Sequence, residues 1–188
     1  MEFQHFTVKV FMESPLGEVN LETYIQIFHR WIQDSLLDEI LIDVADYRHL
    51  TEGPGVVLVA HEADYSMDGN GGRLGLLYRC KVGQQGSNQD RLKKATVSAL
   101  AACDLLEKES SFAGELKFNR RELEISVNDR ALAPNTEKTF SVLKPELEEF
   151  LGKLCGEGQF SVSYQQGDPR GLFRVRVDSK KNFLAESV

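Results

Sequence analysis

The sequence is poor in the features that mark most small-protein classes. Its cysteines, Cys80, Cys103 and Cys155, are odd in number and far apart, so they predict neither a disulfide framework nor a CxxC metal motif. Free thiols are typical of a reducing compartment. No apolar run approaches the roughly 18 residues of a membrane span, and no basic start is followed by an apolar segment. We therefore expect a cytoplasmic protein that does not bind a membrane.

Positive charge is also scarce. The 188 residues carry 22 Lys and Arg against 29 Asp and Glu, a formal net charge of -7. Nucleic-acid binding is driven by a basic surface, so this balance argues against a nucleic-acid partner. A chain of this length can bury its own core without metals or disulfides. We expect a single domain over 1–188, with a possible division into 1–82 and 88–180 at the flexible link Val82–Ser87.

Apolar periodicity predicts an α+β protein. Helical spacing indicates helices over 20–37 and 87–109, and Pro145 is predicted to open a third helix after a short helical piece. Ser87 and Asp90 resemble a capping box at the start of the second helix. Alternating patterns indicate strands over 3–11, 40–46, 56–63, 73–81, 115–118, 123–127, 160–164 and 173–177, with a turn at 14–17 after the first strand. We expect about eight mostly antiparallel strands, in one or two sheets, covered by three main helices.

The stretch Glu39–Lys81 combines the longest apolar runs with the densest ionisable residues. Ile40–Asp46 and Val56–Ala63 are predicted to form a hairpin with two faces. Ile40, Ile42 and Val44 are assigned to the core face. The opposite face carries Asp43 and His61, which the predicted register brings within reach of each other.

Two roles are open for this pair. Asp43 could simply satisfy a covered histidine, as buried polar groups require. Alternatively it could orient His61 as a general base or a metal ligand in a pocket. In that case the candidate catalytic residues are Asp43 and His61, and the candidate metal ligands are His49, His61 and Asp64. The candidate ligand-binding residues at the rim are Asp46, His49, Glu62, Asp64, Tyr65 and Arg73.

Standard catalytic and cofactor motifs do not fit. His61-Glu62-Ala63-Asp64-Tyr65 lacks the second histidine of a zinc protease and lies on strand sequence. Gly69, Gly71 and Gly72 do not precede a helix, so they predict a turn rather than a phosphate loop. No cofactor is identified, and the residues do not decide whether the chain is an enzyme.

Charge is distributed unevenly along the chain. Acidic residues dominate between Trp31 and Gly72, whereas Arg170, Arg174 and Arg176 are predicted to point outward as a basic strip near the C-terminus. Such opposite surfaces favour pairing with an acidic partner or with a second copy. We therefore expect a non-catalytic interaction or assembly protein that self-associates or binds another protein. The alternative is a small-ligand or divalent-metal binding protein, or an enzyme, with its site at Asp43 and His61.

The block GPGVVLVAHEADYSMD, followed by GRLGLLYRCK, resembles a block in a family of uncharacterised bacterial cytosolic proteins of similar length. FHRWIQ at Phe28–Gln33, LIDVADYRH at Leu41–His49 and LAPNT at Leu132–Thr136 are similar too. The resemblance implies a bacterial origin and a self-contained domain. It implies no activity, cofactor or site residue.

Overall fold

One antiparallel sheet organises the chain. The structure, a computed structural model, describes residues 2–13, 20–51 and 53–185. The strands of the sheet are β1 (Phe6–Met12), β2 (Leu41–Asp46), β3 (Val56–Ala60), β4 (Ala63–Asp68), β5 (Gly75–Cys80), β6 (Phe118–Val127), β7 (Phe160–Tyr164) and β8 (Phe173–Ser179). Their spatial order is β2-β3-β4-β5-β1-β6-β8-β7. The predicted α+β class is confirmed, and all eight strands belong to one sheet.

Three helices cover one face of this sheet: α1 (Glu22–Asp34), α2 (Asn88–Glu107) and α3 (Glu137–Cys155). α1 packs on β2 and β3, α2 on β1 and β5, and α3 on β7 and β8. Alternation directs Val8, Tyr65 and Tyr78 into this helix-covered core, where all three are buried. The capping box expected at the start of α2 is present, because Ser87 accepts from the Asp90 N–H and Asp90 accepts from the Ser87 N–H.

The other face of the sheet carries no described helix and is crossed by ion pairs. Lys9, whose side chain is 3% exposed, bonds Asp68 at 2.7 Å near the centre of the sheet. On the same face Asp64 contacts both Arg79, at 2.9 Å, and Lys81, at 2.8 Å. Charges buried in this way stay ionised only when paired. The open face is therefore an internally neutralised surface.

Several predicted elements differ from the structure. The segment 115–127 is not a hairpin, because the polar residues Asn119–Glu122 form an irregularity within the single strand β6 rather than a turn. Arg120 faces α2 there and pairs with Asp104 and Glu107. Ala63–Asp68, predicted as strand end and turn, is the separate strand β4. Pro145 lies inside α3 instead of opening a helix, at an exposed position of that helix.

The predicted core face of β2 is wrong at two positions. Ile40 is 72% exposed and Ile42 is 56% exposed. The register shifts between Leu41 and Asp43, so strict alternation across the strand breaks down at this point. Only Val44 keeps its predicted place, opposite the buried Leu58.

Both halves of the chain contribute to the sheet, because β1 pairs with β5 on one side and with β6 on the other. The turn predicted at 14–17 lies outside the described residues. None of the helices in the described part of the chain combines the length and the apolarity of a membrane span.

Candidate interaction site

The register does not place Asp43 and His61 in a shared covered pocket. Asp43 lies opposite Val59 and is exposed, and its Oδ1 accepts the N–H of Val44 at 2.8 Å. His61 lies in the turn after β3, and its backbone N–H donates to the carbonyl of Ile40 at 2.8 Å. Within the described residues no hydrogen bond or ion pair joins the two side chains. Their catalytic role stays a prediction that this geometry does not favour.

Most of the rim candidates are dispersed over the surface. Asp46 bonds Arg48, and these hydrogen bonds lower the pKa of Asp46 to about 2. His49 is exposed in the loop between β2 and β3. Asp64 is paired on the open face, and Arg73 forms an ion pair with Glu122 and stacks on the ring of Phe11 at 3.9 Å. In the described ranges, no three His, Cys, Asp or Glu side chains are grouped so that they could hold a metal ion.

His61, Glu62 and Tyr65 do lie near one another, along a groove beside α2. His61 and Glu62 line a cleft of about 810 Å³, and Tyr65 lines an adjoining one of about 300 Å³. Both clefts include Glu39, which the sequence patterns did not indicate as a site residue. Lys94 of α2, which bonds Glu62, lies close enough for its charge to act on the Glu39 carboxylate.

Glu39 joins the loop after α1 to the sheet. Its Oε1 accepts a hydrogen bond from the hydroxyl of Tyr65 at 3.1 Å, and burial raises the pKa of its carboxyl group. Burial and then the nearby charge of Glu39 raise the pKa values of Tyr65 and Tyr78. Hydroxyls that hold their protons this tightly are poor acid–base catalysts near neutral pH. The cluster therefore serves best as an anchor for the loop.

The predicted basic strip is neutralised within the chain. Arg170 bonds Asp168, and Arg174 lies 3.8 Å from Glu124. Arg176 contacts both Glu122, at 3.2 Å, and Asp178, at 3.1 Å. These arginines therefore offer little free charge to a partner. An interaction at this end of the sheet would have to depend on features other than their charge.

The two edges of the sheet provide such a feature. At the β2 edge, Tyr47 donates to Gly55, so the alternating ladder turns the backbone of Val44 away from β3. The outward N–H of Val44 is the group that Asp43 caps. The shifted register and the charges of Asp43 and Asp46 are devices that hinder another strand from pairing.

The β7 edge has none of these devices. Lys180 donates to Gln159 and Gln165 donates to Arg174, which sets the parity of the ladder with β8. The N–H and C=O groups of Phe160, Val162 and Tyr164 therefore point away from β8. Within the described residues no other strand pairs with this side. From Gln159 to Gln166 the sequence carries neither charge nor proline.

The alternating residues of β7 predicted a strand, but nothing in the sequence indicated that this strand lies at an edge. An uncharged run is not by itself a signal of an edge, because Gly53–Ala60 is also uncharged and contains the inner strand β3. Strand order depends on contacts between distant segments. A comparison of the sequence with protein-family models and with curated proteins found no match in either.

Proposed function

We propose that the chain is a non-catalytic interaction protein that assembles with a second copy of itself through the outer edge of β7. The single observation that carries this proposal is the row of outward N–H and C=O groups along this edge, which no other described strand pairs with. The side chains of the same strand are also suited to pair with a second copy of the strand. An exposed strand edge is a template for pairing with another chain. Natural sheets usually block such edges, as this chain does at β2.

The sequence of β7, Phe-Ser-Val-Ser-Tyr, is nearly palindromic, because an aromatic residue lies at each end and a serine lies on each side of the central valine. Antiparallel pairing about a two-fold axis at Val162 sets each Val162 opposite its copy and each Phe160 opposite the partner's Tyr164. About six backbone hydrogen bonds form, and no like charges meet. Aromatic pairs directly opposite each other stabilise a sheet. This self-matching favours a second copy over an unrelated strand.

The surfaces beside the edge fit the same partner. Phe160, Val162 and Tyr164 are half-buried, and Ser161 and Ser163 on the other face are exposed. Tyr164 is held in place by stacking between Phe140 and Phe173. Pairing of a five-residue edge buries less surface than the roughly 800 Å² per partner that is buried in a typical stable interface. The expected dimer is therefore concentration-dependent.

The proposal also assigns a setting. The three cysteines are free and buried, which suits a reducing compartment. Together with the resemblance to bacterial cytosolic proteins, this supports assembly in a bacterial cytoplasm, without nucleic acid and without a membrane.

Sedimentation velocity of the full chain and of Val162→Pro tests the proposal. Proline removes the outward N–H of residue 162 but leaves the ladder to β8 intact, since that N–H does not face β8. The unaltered chain should shift from one-chain to two-chain mass with rising concentration, and the variant should stay at one-chain mass. The matched control is Val44→Pro, which places proline at the equivalent outward position of the β2 edge and should still dimerise. A chain that stays monomeric at its highest soluble concentration contradicts the proposal.

A charge variant covers the case in which the proline variant folds poorly. Ser161→Lys with Ser163→Lys puts positive charges opposite each other across the proposed axis, at exposed positions that the fold tolerates. This double variant should also stay monomeric. Dimerisation equal to that of the unaltered chain would show that another surface is used.

Hydrogen exchange identifies the interface directly. In the dimer the amides of Phe160 and Tyr164 should be protected, and in Val162→Pro they should exchange rapidly. The amides of Ser161 and Ser163, which bond β8, should stay protected in both. Self-association with rapid exchange at Phe160, Val162 and Tyr164 would place the interface elsewhere.

A further inference from the structure

Three cations line one cleft beyond the C-terminal end of α3, and no carboxylate of residues 2–13, 20–51 or 53–185 pairs with them. Arg121 of β6 lines a cleft of about 680 Å³ together with Lys180 and Lys181, which follow β8. Among the described residues none of the three forms an ion pair with a carboxylate. Their only side-chain hydrogen bonds there are neutral, from Arg121 to Asn182 Oδ1 at 3.2 Å and from Lys180 to the carbonyl of Gly158 at 3.3 Å.

This cluster differs from the other basic groups near the C-terminus. Arg170, Arg174 and Arg176 each have a carboxylate within 4 Å. In a chain of net charge -7, a group of cations that no carboxylate of the described residues pairs is unusual. Like charges held close together repel each other. A bound anion would relieve that repulsion.

An adjoining cleft of about 560 Å³ shares Arg121 and Asn182 and is also lined by Arg120 and Glu13. The charge of Arg120 is already used, because it lies 2.8 Å from Asp104 and 3.2 Å from Glu107. Because Glu13 also brings a negative charge to this adjoining cleft, the positive charge that no described carboxylate pairs lies on the side of the 680 Å³ cleft, where Arg121 is joined by Lys180 and Lys181.

The apolar residues that line the cleft indicate that its ligand has an apolar part besides the anion. Leu154 and Leu184 line the cleft, and Leu184 is 51% exposed, so an apolar surface stands beside the cations. Guanidinium and ammonium groups together suit a phosphate, which accepts several charge-assisted hydrogen bonds. We propose that this cleft binds a phosphate monoester with a short apolar body. The site is independent of the proposed assembly through β7.

Isothermal titration of the full chain with butyl phosphate, inorganic phosphate and butanol tests this assignment. Butyl phosphate should bind about tenfold more tightly than inorganic phosphate, since partial burial of its chain against the leucines adds the equivalent of about two methylene groups. Butanol, which lacks the anion, should not bind. Equal affinity for butyl phosphate and inorganic phosphate would contradict the proposed contact between the ligand and the leucines. Absence of butyl phosphate binding would overturn the whole assignment.

Variants locate the binding. Arg121→Gln and the double variant Lys180→Gln with Lys181→Gln should each weaken butyl phosphate binding about tenfold or more, because charge-assisted hydrogen bonds are lost. The control is Lys138→Gln, which removes an exposed positive charge from the first turn of α3. Equal weakening in the control would show non-specific attraction. The lysines could instead only stabilise the C-terminal end of α3, where the helix carries a partial negative charge. The unaltered chain would then not bind butyl phosphate, and the lysine variants would only have lower thermal stability. That result would also overturn the assignment.

Discussion

The two edges of the sheet are built on opposite principles. At β2 the strand is shifted in register, the outward N–H of Val44 is capped by Asp43, and Asp46 closes the strand end in a bond to Arg48. At β7 the strand is regular, uncharged and backed by stacked aromatic rings. Both edges belong to one sheet and carry strands of similar length. The difference teaches that the chain blocks strand pairing at one end and leaves it open at the other.

The largest expected effect comes from destabilising the centre of the sheet, which forms the platform that connects the two edges. Asp68→Ala leaves the buried ammonium group of Lys9 without its carboxylate, which should lower the free energy of unfolding by about 3 kcal/mol. Urea denaturation measures the loss. Asp168→Ala is the control, because the ion pair of Asp168 with Arg170 is exposed and should add little.

The same variant tests whether the edges form one cooperative unit. Amide exchange at β2 and at β7 should accelerate together in Asp68→Ala, since both edges depend on one sheet. Acceleration confined to β2 would mean that the halves open independently, and the two edges could then no longer be compared as ends of one platform.

A smaller effect is expected from uncapping the β2 edge. Asp43→Ala frees the outward N–H of Val44 at an exposed site, so the loss of stability should stay under about 1 kcal/mol. It should also increase self-association, measured by sedimentation in a Val162→Pro background. Asp43→Asn retains an acceptor oxygen and should behave like the unaltered chain. If Asp43→Ala and Asp43→Asn associate equally, the cap does not protect the edge.

The smallest effect is a pH dependence at the corner beside β2. Hydrogen bonds from the Arg48 side chain and then from its backbone lower the pKa of Asp46 to about 2 from 3.8. A lowered pKa in the folded state contributes stability above the unfolded value, and this contribution is lost as the pH falls from about 4 to about 2. Carboxyl NMR titration should give a midpoint near 2, and Arg48→Gln should return it towards 3.8. A midpoint near 3.8 in the unaltered chain would contradict the observed bonds.

Local signals in the sequence predicted much of the fold. The capping box of α2 and the hairpin of β7 and β8 depend on neighbouring residues, and both were predicted. The expected number of strands agrees with the structure although two assignments differ, because β4 was missed while β6 was divided. The residues Asn119–Glu122 have turn chemistry, but contacts of Arg120 with α2 keep the strand continuous. Tertiary contacts of this kind have no local signature.

The candidate site was harder to predict because it depended on register. A shift of one residue moves side chains to the opposite face, and the shift between Leu41 and Asp43 exposed Ile40 and Ile42. The roles of Asp43 at an edge and of Glu39 beneath a loop follow from strand order and helix placement. Neither can be derived from spacing along the chain.

The position of β1 has a consequence for synthesis. Val8 pairs with Tyr78 on one side and Ile125 on the other, so the strand of this sheet that is synthesised before the other seven lies in its interior. On the ribosome β1 must wait for one neighbour and then much longer for the second. Until β6 emerges, one flank of β1 is an unpaired edge, and such intermediates are prone to aggregate. The nascent chain should therefore depend on chaperones more than a protein built from consecutive hairpins.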